Sequence, residues 1–231
     1  METGLWTRIY LVRHGEVDAA WQARIYGDLD VPLSERGKEQ AAEAARRLAD
    51  RPFARVVSSD LSRAYFGAEC IRAGRQPAGN PEIDRRWREV CRGSWAGRTF
   101  AELEQQEPGA FAGWLADPAR IRPPGGENLT DVAERLQPAI AGLLASHPGA
   151  EVAVVAHGWV MRVLIGRCLG LRGAAVARLV IPPGSIAALD YPRAERDDPP
   201  GSGGGDQHPP PRPILVGFGL DVPLGAAPGP T

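Results

Sequence analysis

The chain has no excess of charge of either sign: 27 Lys and Arg stand against 28 Asp and Glu, a formal net charge of -1. That removes any bulk electrostatic case for nucleic acid or an anionic membrane surface, so attraction for an anion has to be local. Cysteine is scarce. Cys70, Cys91 and Cys168 are odd in number and lack metal-type spacing, which reads as reduced thiols in a cytoplasmic protein, with neither a disulfide framework nor a zinc site. No apolar run approaches the roughly 20 residues of a membrane span. Met1 to Thr7 lack the basic segment and apolar core of a secretion signal. There is no internal repeat, and His, Cys, Asp and Glu nowhere cluster as metal ligands, so no metal and no cofactor are expected.

What is present is an ordinary globular composition, 43% hydrophobic and 24% charged over 231 residues, enough for one sizeable α/β domain or two small ones. Two stretches stand out. Ile9-Tyr10-Leu11-Val12 is an apolar run that ends in Arg13-His14-Gly15-Glu16, and Val152-Ala153-Val154-Val155-Ala156 ends in His157-Gly158. Short apolar runs bounded by glycine read as buried strands. Ligands of open α/β sheets sit at the carboxyl ends of such strands. Two strands that each deliver a histidine and then a glycine are expected to meet at one anion-binding, phosphoryl-handling site.

In chain order, residues 17–33 read as a loop. Ser34 can cap a helix whose residues 39–50 are rich in good helix formers, with Ala41, Ala44, Ala45 and Leu48 facing the sheet. Arg55–Ser59 reads as a strand, and Asp60 as the cap of a helix to about Ala73 that carries Arg63 in its first turn. Residues 74–86 read as irregular and 88–98 as a loop. Thr99 with Glu102 is a capping box, and Pro108-Gly109 breaks the helix it starts. A short amphipathic piece follows through Trp114. Asn128 caps a long helix to about Ser146. After the strand at 152–156 come a helix over 159–169 and a strand over 185–191. This alternation predicts a three-layer α/β/α sandwich on a mainly parallel sheet.

The Pro/Gly-rich residues 193–213 cannot bury a core and read as a disordered loop. Residues 214–231 would then supply a final strand, Ile214–Phe218, and a C-terminal tail. The strand would either close a hairpin with its predecessor or belong to a free tail. The expected organisation is a catalytic domain over 1–192, with a helical lid at about 99–125, followed by these two segments.

Moving a phosphoryl group requires cationic donors aimed at its oxygens, a nucleophile in line with the leaving oxygen, and a proton for that oxygen. A neutral imidazole is nucleophilic at pH 7 when its other nitrogen is held, which makes His14 the candidate. Arg63 would sit at a helix N-terminus, where partial positive charge suits an anion. Gly158 and Trp159 open the helix after the second histidine strand and offer backbone N–H groups to the same anion.

Leu11-Val12-Arg13-His14-Gly15-Glu16 resembles the signature of the histidine phosphatase superfamily. Further blocks follow in that family's order. They are Val31-Pro32-Leu33-Ser34-Glu35-Arg36-Gly37, Ser58-Ser59-Asp60-Leu61-Ser62-Arg63-Ala64, Arg88-Glu89 ahead of Gly93-Ser94-Trp95-Ala96-Gly97, Pro124-Gly125-Gly126-Glu127, and Val155-Ala156-His157-Gly158. The resemblance covers roughly residues 8–191 and implies a phosphoglycerate mutase-like fold. It implies that His14 becomes a phosphohistidine, that Arg13, Arg63 and His157 hold the phosphoryl oxygens with Gly158 beside them, and that Glu89 is the general acid and then the base. Glu16 is read as a loop-structuring residue. The chain departs from the family at Val17, Ala20, Gly67 and Ala96, positions that bear on leaving-group recognition more than on the core charges.

The expected activity is therefore metal-independent hydrolysis of a small phosphorylated metabolite, in the α-ribazole or broad-specificity phosphatase branch. In the proposed lid Arg120 and Arg122 are the only cations, and Trp114 with its apolar neighbours suits an apolar or sugar-like leaving group. Two alternatives stand beside it: phosphoglycerate mutase-type transfer, and a non-catalytic phospho-ligand binder. The oligomeric state is left open, a homodimer included.

Overall fold

The computed structural model describes residues 6–73, 75, 79–192 and 213–218. Six strands, β1 (Trp6–Arg13), β2 (Phe53–Ser58), β3 (Glu82–Ile83), β4 (Glu151–Ala156), β5 (Ile186–Pro192) and β6 (Ile214–Phe218), form one sheet in the order β3-β2-β4-β1-β5-β6. β3, β2, β4 and β1 are mutually parallel, and β5 and β6 are added antiparallel, each to its neighbour. The sheet is mixed, with a parallel centre.

The side-chain alternation of a strand explains the layers. Ile9, Leu11, Val152 and Val154 point to one face, where they pack with α6 (Leu129–Ser146) and α7 (Gly158–Cys168). Tyr10, Val12, Ala153 and Val155 point to the other, against α2 (Glu35–Arg47) and α3 (Ser62–Arg72). Strands covered on both faces must be apolar throughout, which is why β1 and β4 read as unbroken runs.

Most helix ends follow the local chemistry. Ser34 accepts from Gly37 N–H, and Thr99 and Asn128 each close a capping box. Of the four residues expected to face the sheet from α2, Ala41, Ala44 and Leu48 are buried and Ala45 is partly so. Gly109, at φ 75°, separates α4 (Phe100–Gln106) from α5 (Ala110–Ala116). Three details differ from the sequence reading. Asp60 does not cap α3, because its carboxylate is taken by Arg85 and Arg88 at 2.7 and 2.6 Å. Asp30, from the loop before α2, instead accepts the first helical N–H at Ser62, at 2.8 Å. The expected loop at 17–33 contains a short helix, α1 (Ala19–Gln22), and the expected irregular stretch at 74–86 contains β3. Another short helix, α8 (Ala174–Ala177), precedes β5.

β6 pairs antiparallel with β5, Asp190 opposite Ile214 and Ala187 opposite Phe218. The proposed disordered loop at 193–213, Pro213 excepted, and the tail at 219–231 lie outside the described residues. No helix among the described residues is long and apolar enough to cross a membrane.

Candidate active site

β1 and β4 are neighbours in register, with Arg13 opposite Ala156, so the residues that follow them emerge side by side. The rings of His14 and His157 lie 5.1 Å apart, centroid to centroid, and are 2% and 0% exposed. His14 Nδ1 sits 2.6 Å from the Gly15 carbonyl oxygen. A carbonyl can only accept, so Nδ1 carries the proton and Nε2 keeps a bare lone pair. Gly15 is sterically required here: a Cβ on it would fall 2.0 Å from the Gly37 carbonyl oxygen.

His157 Nε2 lies 2.7 Å from Ser59 Oγ, which also accepts Leu61 N–H at 3.3 Å. With the hydroxyl hydrogen given to Nε2, Nδ1 of His157 is a protonated donor, and it is buried with no partner. Burial first, and then the Arg63 and Arg13 charges, hold both imidazole pKa values well below the ordinary 6.5. Both rings are neutral at pH 7.

Arg63, in the first turn of α3, is buried, and its fork donates to the carbonyls of Leu29 (2.6 Å) and Gly27 (2.7 Å). Arg13 donates from Nη1 to the Ile181 carbonyl. Its guanidinium lies against Gly158, where a Cβ would come 3.4 Å from Nε. Arg13 Nε and Arg63 Nε are buried donors without partners, as is His157 Nδ1. Buried polar groups are normally satisfied, and these three belong to residues whose charges and rings act on His14 and His157.

Glu89 is buried. Its carboxylate accepts Trp159 N–H at 3.1 and 3.2 Å and Val90 N–H at 2.9 Å. The first N–H groups of α7 are therefore directed in part at this carboxylate. Arg135 holds the backbone beneath Glu89, donating to the carbonyls of Arg86 (2.5 Å), Arg88 (2.7 Å) and Glu89 (3.3 Å). Glu127 steadies Arg135 Nε at 2.7 Å and accepts Cys91 N–H at 2.9 Å.

Arg13, Arg63, His14 and His157 lie close enough to act on one another, and a cavity of about 360 Å³ adjoins them at Arg13, Glu89 and Gly158; His14, His157 and Arg63 are not part of its wall. Its lining includes Arg13, Glu89, Gly158, Ile25, Tyr26 and Trp159, with Phe100, Phe111 and Leu115 from α4 and α5. Trp114 does not line it; the ring is fully buried beneath, edge-on to Trp159. Arg120 and Arg122 do not reach it either, being exposed and turned to Asp117 and Asp131. The cations that do line it, and that the sequence reading missed, are Arg24, Arg92 and Arg162. Among the described residues no group of three or more His, Cys, Asp or Glu is placed to hold a metal ion.

A model of the histidine phosphatase superfamily (branch 1) matches residues 9–197. Glucosyl-3-phosphoglycerate phosphatase of Mycobacterium tuberculosis (strain H37Rv) is 40% identical over 172 residues, spanning 71% of this chain and 76% of the relative. A probable phosphoglycerate mutase of Cronobacter sakazakii is 33% identical over 184 residues, spanning 80% and 85%. Among solved structures, the mycobacterial glucosyl-3-phosphoglycerate phosphatase in complex with VO3 superposes with TM-score 0.70 at 37% identity, covering 79% of this chain and 92% of that one. A putative α-ribazole-5'-P phosphatase from Escherichia coli K-12 gives 0.72 at 28% identity, covering 81% and 91%.

Proposed function

The chain belongs to the histidine phosphatase superfamily and is a phosphatase, and from that premise we propose how its own residues hydrolyse a phosphate monoester. His14 Nε2 attacks phosphorus in line with the ester oxygen. The P–N bond forms as the P–O bond to the leaving group breaks, and Glu89 gives its proton to the departing oxygen. Arg13, Arg63 and His157 hold the three remaining phosphoryl oxygens through both steps. Water then attacks the phosphohistidine and loses its proton to Glu89, and the P–N bond breaks to release phosphate and restore His14. The observation that carries this reading is the tautomer of His14: a lone pair on Nε2, fixed by the Gly15 carbonyl, beside three unpartnered buried donors.

The substrate is a small phosphorylated metabolite. The mycobacterial relative's name specifies a glycosylated phosphoglycerate. A cavity walled by Tyr26, Phe100, Phe111 and Trp159 suits a sugar-like or apolar leaving group of that kind. We place the reaction in the cytoplasm, on the strength of the unpaired thiols of Cys70, Cys91 and Cys168.

The test is p-nitrophenyl phosphate turnover from pH 5 to 8 with rapid-quench detection of acid-labile phosphoprotein. The wild type should turn over and trap label on His14. His14→Ala should show no turnover and no label, and Glu89→Gln should retain the label while slowing turnover roughly 100- to 10,000-fold. Label on another residue, or undiminished turnover by His14→Ala, would overturn the mechanism. Turning 3-phosphoglycerate into 2-phosphoglycerate when primed with 2,3-bisphosphoglycerate would identify a mutase instead.

A further inference from the structure

Ser59 is a buried hydroxyl that the mechanism above leaves unused. β2 runs parallel to β4 with Ser58 opposite Val155, so the residues that follow the two strands, Ser59 and His157, emerge together. Both are fully buried, and Ser59 is not part of the cavity wall. Ser59 Oγ sits 2.7 Å from His157 Nε2 and accepts Leu61 N–H at 3.3 Å, and it has no further partner among the described residues.

These contacts decide between two neutral forms of the His157 ring. A hydroxyl carries one hydrogen and two lone pairs, and Leu61 occupies one lone pair. If the hydroxyl hydrogen goes to Nε2, the ring proton is on Nδ1, and that N–H is the one buried group left without a partner. If Nε2 is instead the donor, two buried groups are left over, the serine hydrogen and the bare Nδ1. An unsatisfied buried group costs its desolvation free energy, so the form with one orphan is favoured over the form with two. The doubly protonated ring is opposed by burial and by the Arg63 and Arg13 charges.

His14 supplies the contrast. Its Nδ1 is held by the Gly15 carbonyl, an acceptor, which leaves the lone pair of Nε2 available. His157 is the same tautomer held from its other end by a donor, which leaves the N–H available. The kind of partner, carbonyl against hydroxyl, thus divides two rings 5.1 Å apart into a nucleophile and a hydrogen-bond donor.

We propose that Ser59 is a positioning residue: its hydroxyl fixes His157 as the Nδ1–H tautomer and so makes this ring an uncharged donor to the phosphoryl group. This deepens the phosphatase reading; the phosphate-binding arm of its test rests on that reading, and the spectroscopic arm does not. Without the hydroxyl, Nε2 is free to take the proton, and Nδ1 then meets phosphoryl oxygens as a lone pair.

The chain has four histidines, His14, His147, His157 and His208, so nitrogen NMR of isotopically labelled imidazoles gives a short spectrum in which His157→Asn identifies the His157 signals. At pH 7 the wild type should show His157 protonated on Nδ1 and bare at Nε2, and Ser59→Ala should move the proton wholly or partly to Nε2. Calorimetric titration with inorganic phosphate should give about tenfold weaker binding in Ser59→Ala. Because Ser59 acts through His157, the same change made in a His157→Asn background should weaken binding by less than about threefold. A wild-type His157 protonated on Nε2 overturns the assignment whatever the variants do. So does Ser59→Ala protein that keeps the wild-type tautomer, or a loss of phosphate affinity just as large in the His157→Asn background. Should Ser59→Ala fail to fold by circular dichroism, the wild-type tautomer decides. The Nδ1–H form in a wild type that binds no phosphate would retain the control by Ser59 and remove the phosphatase reading.

Discussion

Lowering the pH from 6.5 to 5 should destabilise this protein steeply, and two residues account for the effect. His14 and His157 are buried as neutral rings, with Arg13 and Arg63 close enough to oppose protonation of either. In the unfolded chain both regain an ordinary pKa near 6.5. Below that value the unfolded state binds protons that the folded state refuses, so stability falls with pH until the folded-state pKa values are reached. A histidine that stays neutral in the fold contributes RT ln(1 + 10^(6.5 − pH)), about 2 kcal/mol at pH 5. The same expression gives about 0.4 kcal/mol at pH 6.5, so between the two pH values the pair costs up to about 3 kcal/mol, a large part of the roughly 5–15 kcal/mol of a typical domain. Asp60 and Asp131 add little in this window, because arginine partners and backbone N–H groups outweigh their burial and hold them below the ordinary carboxylate value.

Urea denaturation in phosphate-free buffer at pH 7.5, 6.5, 5.8 and 5.0 measures this directly. The wild-type midpoint should drop progressively with an unchanged m-value, while a His14→Gln/His157→Asn variant should lose most of the slope. Vanadate or phosphate should raise the midpoint through binding to the folded state alone. A wild-type curve flat between pH 6.5 and 5, or one just as steep in the double variant, would refute the claim that these rings are buried neutral.

Two further predictions concern residues that act at a distance from the reacting atoms. Arg135→Gln should lower kcat on p-nitrophenyl phosphate by about 10- to 100-fold with a smaller change in KM, because the backbone carrying Glu89 loses its three carbonyl contacts; an unchanged kcat would remove Arg135 as a positioning residue. The bidentate pair of Arg8 with Asp190, at 2.6 and 2.7 Å, joins β1 to β5 in the interior. Asp190→Ala strands the Arg8 charge and should cost about 3–5 kcal/mol of unfolding free energy by urea titration; a loss under about 1 kcal/mol would show the pair to be hydrated.

The pairing of the two histidines was legible in the sequence, and the arginines at the outer wall of the cavity were not, for one physical reason. His14 and His157 are placed by strands whose apolar character is visible in a handful of consecutive residues, and parallel pairing of those strands does the rest. Arg63 follows from a helix N-terminus, and the caps at Ser34, Thr99 and Asn128 follow from side chains that satisfy N–H groups three residues away. All of these are local. Where a distant side chain competes, local reading fails: Asp60 has the chemistry of a cap, but Arg85 and Arg88 claim it, and Asp30 takes its place at α3. The two-residue strand β3 lies below any periodicity signal, existing because its backbone pairs with the end of β2. Arg92 is the extreme case. Nothing in Glu89-Val90-Cys91-Arg92 marks a buried cation, since its burial is supplied by Trp114 from α5 and Trp159 from α7. The one clue available beforehand was the spacing of Trp159 and Arg162, i and i+3 on one helix face, beside a motif already assigned to phosphate. Arg120 and Arg122 invited the opposite error: they lie in the segment read as a lid, but these exposed arginines take neighbouring aspartates as partners. In this fold the two histidines are written along the strands, whereas the surroundings of Arg92 emerge only where three separate elements converge.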